Sequence, residues 1–131
     1  MATLRKETRL NTPPDQVWDA VRDVGALHTR LVPGFVTDTK LEGSVRVVTF
    51  ANGLVVREPI VSIDDPRRRL VWGAIGGRTT HYNAALEVLP DGAGSRVIWT
   101  IDLLPDEMAA PVGAMQDQGM AALARALGRA A

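Results

Sequence analysis

The chain has 131 residues, 46% of them apolar and 23% charged, and its fifteen cationic and fifteen anionic side chains give a formal net charge of zero. That length supports one domain with a hydrophobic core, and the charge balance argues against a nucleic-acid binder, which carries a basic surface. The absence of cysteine excludes a disulfide framework and thiol chemistry, and no apolar run reaches the length of a membrane span.

The amino-terminal stretch MATLRKETRL lacks the apolar segment of a signal peptide, so a cytoplasmic protein is expected. Residues 3–10 read as a strand with Leu4, Thr8 and Leu10 on one face. NTPPDQVWDAVRDV opens a helix with Thr12 as N-cap, prolines in the first turn and Asp15 at the positive end of the dipole. A second short helix, GALHTRL, ends at Pro33-Gly34. Strand patterns follow over residues 35–41, 44–50, 54–63, 68–75, 79–89 and 96–104, separated by Gly-, Asn- and Asp-rich turns. The last segment, residues 106–131, is alanine-rich and helix-favouring, with Val112, Met115, Leu123 and Leu127 at helical spacing. The reading is one α+β domain over residues 1–131, with a seven-stranded antiparallel sheet and a long terminal helix to cover it.

Counting outward from the turns assigns the faces. Asn52-Gly53 between apolar runs is a hairpin signal, because glycine tolerates the positive φ such turns need. Folding there pairs Phe50 with Leu54, Val48 with Val56 and Arg46 with Glu58, all on one face. Folding about residues 90–95 pairs Tyr82 with Leu103, Ala84 with Ile101, Leu86 with Trp99 and Val88 with Val97. Folding about Gly76-Gly77-Arg78 pairs Trp72 with Tyr82 and Leu70 with Ala84. The inner face therefore carries Leu70, Trp72, Tyr82, Ala84, Leu86, Val88, Val97, Trp99 and Ile101. Extending the same alternation across Asp64-Asp65-Pro66 places Glu58 and Ile60 inside, unless a bulge intervenes.

These residues resemble a known family. The order of elements, with PPDQVWDAVRDVGALHTRLVPGF early and SRVIWTIDLLPD before the last helix, is similar to the START-like (SRPBCC) superfamily and its bacterial polyketide cyclase/dehydrase and lipid-transport-like branch. The more specific pieces are Gly43-x-x-Arg46, Glu58 with Ile60, Asp64-Asp65, Trp72, His81-Tyr82 and Val97-x-Trp99. The resemblance covers nearly the whole chain and implies the helix-grip (Bet v 1-like) fold: a curved sheet around the terminal helix, with a cavity between them. It also implies a cavity role for Arg46 and Glu58, as in the similar plant abscisic acid receptors. The Ala51-Asn52-Gly53 turn is shorter than the gate loop of those receptors and residues 76–82 lack their latch histidine, so hormone-receptor gating is not implied.

The candidate ligand-binding residues are Arg46, Glu58, Trp72, Tyr82, Leu86, Trp99, Met115 and Gly119. The small surface of Gly119, Ala122 and Ala126 either leaves volume for a cavity or allows close helix–sheet packing. Arg46 and Glu58 are either a solvated cross-strand pair or a pair facing the cavity, where two charges taken from water must satisfy each other. Trp18 reads as core, His28 and His81 as surface, and Asp64 to Arg69 as a solvated turn. Two histidines without cysteine give no zinc pattern, GAGSRV lies in a hairpin and is no nucleotide loop, and no metal or cofactor is expected. Two functions follow. One is a binding protein for a small hydrophobic molecule with a polar group. The alternative is a cyclase/dehydratase-type enzyme in which Glu58 or Tyr82 moves protons, tuned by Arg46.

Overall fold

A computed structural model describes residues 1–129. Seven strands form one antiparallel sheet in the order β1-β7-β6-β5-β4-β3-β2. They are β1 (Ala2–Leu10), β2 (Val36–Glu42), β3 (Val45–Phe50), β4 (Val55–Asp64), β5 (Arg69–Gly73), β6 (His81–Asp91) and β7 (Gly94–Leu104). Successive strands from β2 to β7 are neighbours because short turns join them, and β1 closes on β7 along its whole length. Between β1 and β2 lie helix α1 (Pro14–Arg22) and a five-residue helical turn, Leu27–Leu31, closed by a wide bond from Val32 N–H to the Leu27 carbonyl at 2.9 Å. A single 3₁₀ turn, Asp106–Met108, leads into helix α2 (Ala109–Leu127). The expected helix over 106–131 is thus shorter, and residues 130 and 131 lie outside the described residues.

The hairpin arithmetic holds where the turns are tight. Arg46 faces Glu58 and Val48 faces Val56, while Phe50 N–H donates to the Leu54 carbonyl at 2.8 Å. Leu86 faces Trp99, and Ala84 faces Ile101. It slips by two residues between β5 and β6, where Trp72 faces Ala84 instead of Tyr82 and Leu70 faces Leu86 instead of Ala84. The cause is a seven-residue loop, 74–80, where a three-residue turn was expected. A slip of two keeps every side chain on its face, because the strand period is two. A bulge does occur in β4, between Ile60 and Ser62. It falls after Ile60, so Glu58 and Ile60 keep the face of Trp72, which Ile60 opposes directly.

The core lies between the concave face of the sheet and the helices, with Val17, Val21, Val48, Leu70, Ala84, Val97, Ile101, Leu103 and Leu123 almost fully buried. The turn after β4 holds α1 in place rather than standing free in solvent. Asp65 accepts a hydrogen bond from the Trp18 indole at 2.8 Å and another from Arg22 Nε at 2.8 Å, and Arg68 reaches Asp15 at 2.7 Å.

Thr12 is not the N-cap of α1; that position is Pro13, with no side-chain cap. The Thr12 hydroxyl instead donates to the Leu127 carbonyl, one of the acceptors a helix end leaves open. Around it, Asn11 N–H donates to the Gly128 carbonyl at 2.7 Å and Ser95 Oγ donates to the Thr12 carbonyl at 2.6 Å. Gly94 sits so close that a Cβ there would lie 2.1 Å from the Leu10 carbonyl oxygen. The end of β1, the start of β7 and the carboxyl end of α2 are clasped at this point.

Candidate functional site

Sheet and α2 do not close on each other completely. They leave a cavity of about 580 Å³. Its far wall is the helical turn, through Leu27, Leu31 and Val32, all buried. The lining residues that reach solvent are Leu54 in the β3–β4 turn, Gly76, Gly77 and Arg78 in the β5–β6 loop, and Pro111 in the first turn of α2. The cavity therefore opens between two hairpin loops and the amino end of the helix.

The sheet side of the cavity is built by period-two alternation across five adjacent strands. Arg46 projects from β3, Glu58 from β4, Trp72 from β5, Tyr82 and Leu86 from β6, and Trp99 from β7; Met115 comes from α2. Seven of the eight candidate residues thus share one cavity. Gly119 does not line it. A Cβ at Gly119 would lie 2.8 Å from Trp99 Cζ3 and 3.2 Å from Phe35 Cε2, both closer than carbon atoms normally pack. The small residue is there to admit the indole edge, which fills the volume that its size suggested was empty. His28, half-buried beside Thr39, and the exposed His81 are also outside the lining.

Most of the lining is apolar; the buried polar groups are few. Arg46 Nε donates to Glu58 Oε1 at 2.7 Å, with side-chain exposures of 2% and 9%. The guanidinium also lies 5.0 Å from the Trp72 ring centroid, over its face. Trp72 in turn meets Trp99 at 6.1 Å. Of the two arrangements the sequence allows, the pair is therefore the buried one and not the solvated cross-strand pair. Burial pushes the Glu58 carboxyl above its usual range, against the opposing pull of Arg46. Burial, followed by the nearby Glu58 charge, raises the Tyr82 phenol as well, so it is neutral and able to donate.

Three buried side-chain atoms have no hydrogen-bond partner among the described residues: Arg46 Nη1, Trp99 Nε1 and Gln116 Oε1. All three belong to cavity-lining residues. Gln116 is absent from the sequence-derived candidates. Its signal was legible: positions 112, 116, 119, 123 and 127 form one helical stripe, and Gln116 is the polar residue in it.

The family described as polyketide cyclase/dehydrase and lipid transport matches residues 1–128. The chain belongs to that family. Among solved structures, this polyketide cyclase/dehydrase and lipid transport domain is similar to XoxI from Bacillus cereus, with 22% identity, TM-score 0.85, and coverage of 97% of this chain and 96% of the other. It is also similar to a putative uncharacterized protein from Bacillus thuringiensis, at 21% identity and TM-score 0.86, covering 96% and 98% of the two chains. Ara h 8.0201 follows at 21% identity and TM-score 0.73, with 96% and 97% covered. At these identities the likeness speaks for the fold, the seven-stranded curved sheet around a long carboxyl-terminal helix. No curated protein matches the sequence. Among the described residues no helix of the family member is long and apolar enough to cross a membrane, and no three metal-ligating side chains converge.

Proposed function

We propose that this protein binds a small, mostly apolar molecule in the cavity between sheet and α2, and holds its polar group at Arg46, Glu58 and Tyr82. The observation that carries this reading is the Arg46 guanidinium. It is 2% exposed, one of its nitrogens is unpaired, and the wall around it is apolar. A buried donor without a partner destabilises the fold by roughly 1–3 kcal/mol. A ligand oxygen in the cavity would supply the missing acceptor. A cavity of about 580 Å³ falls in the range of ordinary small-molecule sites, and its composition matches theirs: apolar walls with a few converging polar groups. Native mass spectrometry of freshly purified protein tests the reading. A co-purified small molecule that is retained by the wild type and lost from Arg46→Met is expected. Protein that carries no ligand, and binds no apolar fluorescent probe such as 1-anilinonaphthalene-8-sulfonate, would refute it.

One observation favours catalysis as a second reading. A carboxyl raised above its usual range by burial holds its proton more readily, as a general acid or base requires, and Glu58 shares the cavity with a neutral phenol. In this reading Glu58 is the general base or acid, Arg46 tunes it, and the cavity holds a flexible substrate in a reactive shape. Incubating the retained molecule with fresh protein separates the two functions. Turnover would appear as a change in the chromatographic retention of the bound molecule, with loss of one water in mass if dehydration occurs, present in the wild type and absent in Glu58→Gln. An unchanged mass and retention leave a carrier or sensor.

A further inference from the structure

The unpaired atoms differ in kind, and the difference specifies a ligand. Gln116 is 1% exposed and its Nε2 donates to the Trp99 carbonyl at 2.9 Å. A carbonyl oxygen can only accept, so the amide nitrogen must face Trp99 and the amide orientation is set. Oε1 is left as a buried acceptor, with no donor among the described residues, on a residue that lines the helix side of the cavity. On the sheet side the vacant groups are donors: Arg46 Nη1 and Trp99 Nε1. An apolar molecule with a single acceptor would leave Gln116 unpaired, and an alcohol with no carbonyl would leave the strongest donor poorly served.

Charge narrows the choice. The buried charges of the lining are one cation and one anion, Arg46 and Glu58, already bonded to each other; Arg78 is exposed at the rim. A carboxylate brought to Arg46 would add an uncompensated negative charge beside Glu58 in a water-poor site, which is unfavourable. A neutral carbonyl accepts the same hydrogen bond without that penalty.

Resting on the reading of the cavity as a ligand site, we propose that it selects neutral hydroxy-carbonyl compounds, with Arg46 holding the carbonyl oxygen and Gln116 reading a hydroxyl on the same apolar body. Gln116 is then the specificity-determining residue that separates hydroxylated ligands from their parent ketones. A site built to bond a hydroxyl discriminates against the analogue lacking it because its own buried group is left unpaired.

Calorimetric titration of 2-acetylnaphthalene and of its 6- and 7-hydroxy derivatives tests this. At least one of the two hydroxy ketones is expected to bind about tenfold tighter than 2-acetylnaphthalene, the equivalent of one satisfied buried hydrogen bond. Gln116→Met should erase that advantage, read as the ratio of the hydroxy-ketone and 2-acetylnaphthalene affinities within the variant. An internal control in the wild type keeps the test independent of how the variant folds. In 1-hydroxy-2-acetylnaphthalene the hydroxyl is bonded to its own carbonyl, so this isomer should bind no tighter than the parent. Equal affinities across the series, or an advantage that survives Gln116→Met, would overturn the role of Gln116 while leaving the cavity a ligand site. Tighter binding of 6-hydroxy-2-naphthoic acid than of either hydroxy ketone would overturn the requirement for a neutral carbonyl. Failure of every probe, 2-acetylnaphthalene included, would overturn the reading of the cavity as a ligand site and this inference with it.

Discussion

Removing Glu58 alone should harm the fold more than removing Glu58 and Arg46 together. In Glu58→Gln the guanidinium keeps its charge and its burial but loses its anionic partner, 2.7 Å away. Breaking a buried pair from one side typically destabilises by about 3–5 kcal/mol, because it leaves an uncompensated charge. Some of that is retained here by the Trp72 ring under the guanidinium, an interaction of about 2 kcal/mol when desolvated. A loss of about 1–3 kcal/mol is therefore expected for Glu58→Gln. The double change Arg46→Met with Glu58→Leu replaces both charges by apolar side chains of similar reach, and such replacements are often neutral or stabilising. Urea unfolding of the wild type, Arg46→Met, Glu58→Leu and the double variant closes the cycle, with Glu58→Gln measured beside it. Because the pair is shielded from solvent, the coupling should survive high salt. A coupling below about 0.5 kcal/mol, erased by salt, is the behaviour of exposed pairs and would refute the assignment of a buried polar centre.

Three further outcomes are expected. The Glu58 carboxyl is raised from the ordinary value of 4.5 by burial, so the native state holds its proton more tightly than the unfolded chain does. Its contribution to stability is complete below the unfolded value and is lost as pH rises through the folded one; urea midpoints from about pH 4 to about pH 8 should show this falling component in the wild type and not in Glu58→Gln. Gly119→Leu should lower the melting temperature by overpacking, with roughly 1–3 kcal/mol lost, and Trp99→Phe in the same chain should recover part of it; an unchanged melt would mean that room exists beside Gly119 after all. Gly94→Ala drives a Cβ into a backbone oxygen that cannot rotate away, so denaturant unfolding should show a loss of about 3 kcal/mol or more, whereas the same change at exposed, loosely surrounded Gly77 should be nearly silent.

What could be read before folding and what could not divides along physical lines. Strand faces obey a period of two, so a tight turn at Asn52-Gly53 fixes Arg46 opposite Glu58 by counting alone. Counting fails where a loop replaces a turn: seven residues between β5 and β6 moved the Trp72 partner by two positions, a change invisible to the face assignment. Thr12 had the composition of an N-cap, yet a cap is decided by which open acceptor lies nearer, and the Leu127 carbonyl lies across the fold. Gly119 was ambiguous in principle. A missing side chain reads as space or as close approach, and only the partner, here the Trp99 indole, decides which. Gln116 is legible as the polar member of an otherwise apolar helical stripe, but an apolar period marks burial and does not mark a polar residue within it.

The clasp at Asn11, Thr12, Gly94 and Ser95 gives the molecule a mechanical polarity. It fastens the carboxyl end of α2, while the mouth of the cavity lies at the amino end, around Met108, Pro111 and Met115. The far end of the helix is held through backbone groups, and the near half through side chains, Gln116 to the Trp99 carbonyl at 2.9 Å and Asp117 to Lys6 at 3.0 Å. For nineteen residues rising 1.5 Å each, a tilt of about 5° about the far end carries the first turn through about 2.5 Å. Such a tilt would widen the mouth at the expense of those side-chain contacts and leave the hydrogen bonds at the far end in place. The bonds that hold the sheet around its helix thus also set the direction in which the two can part.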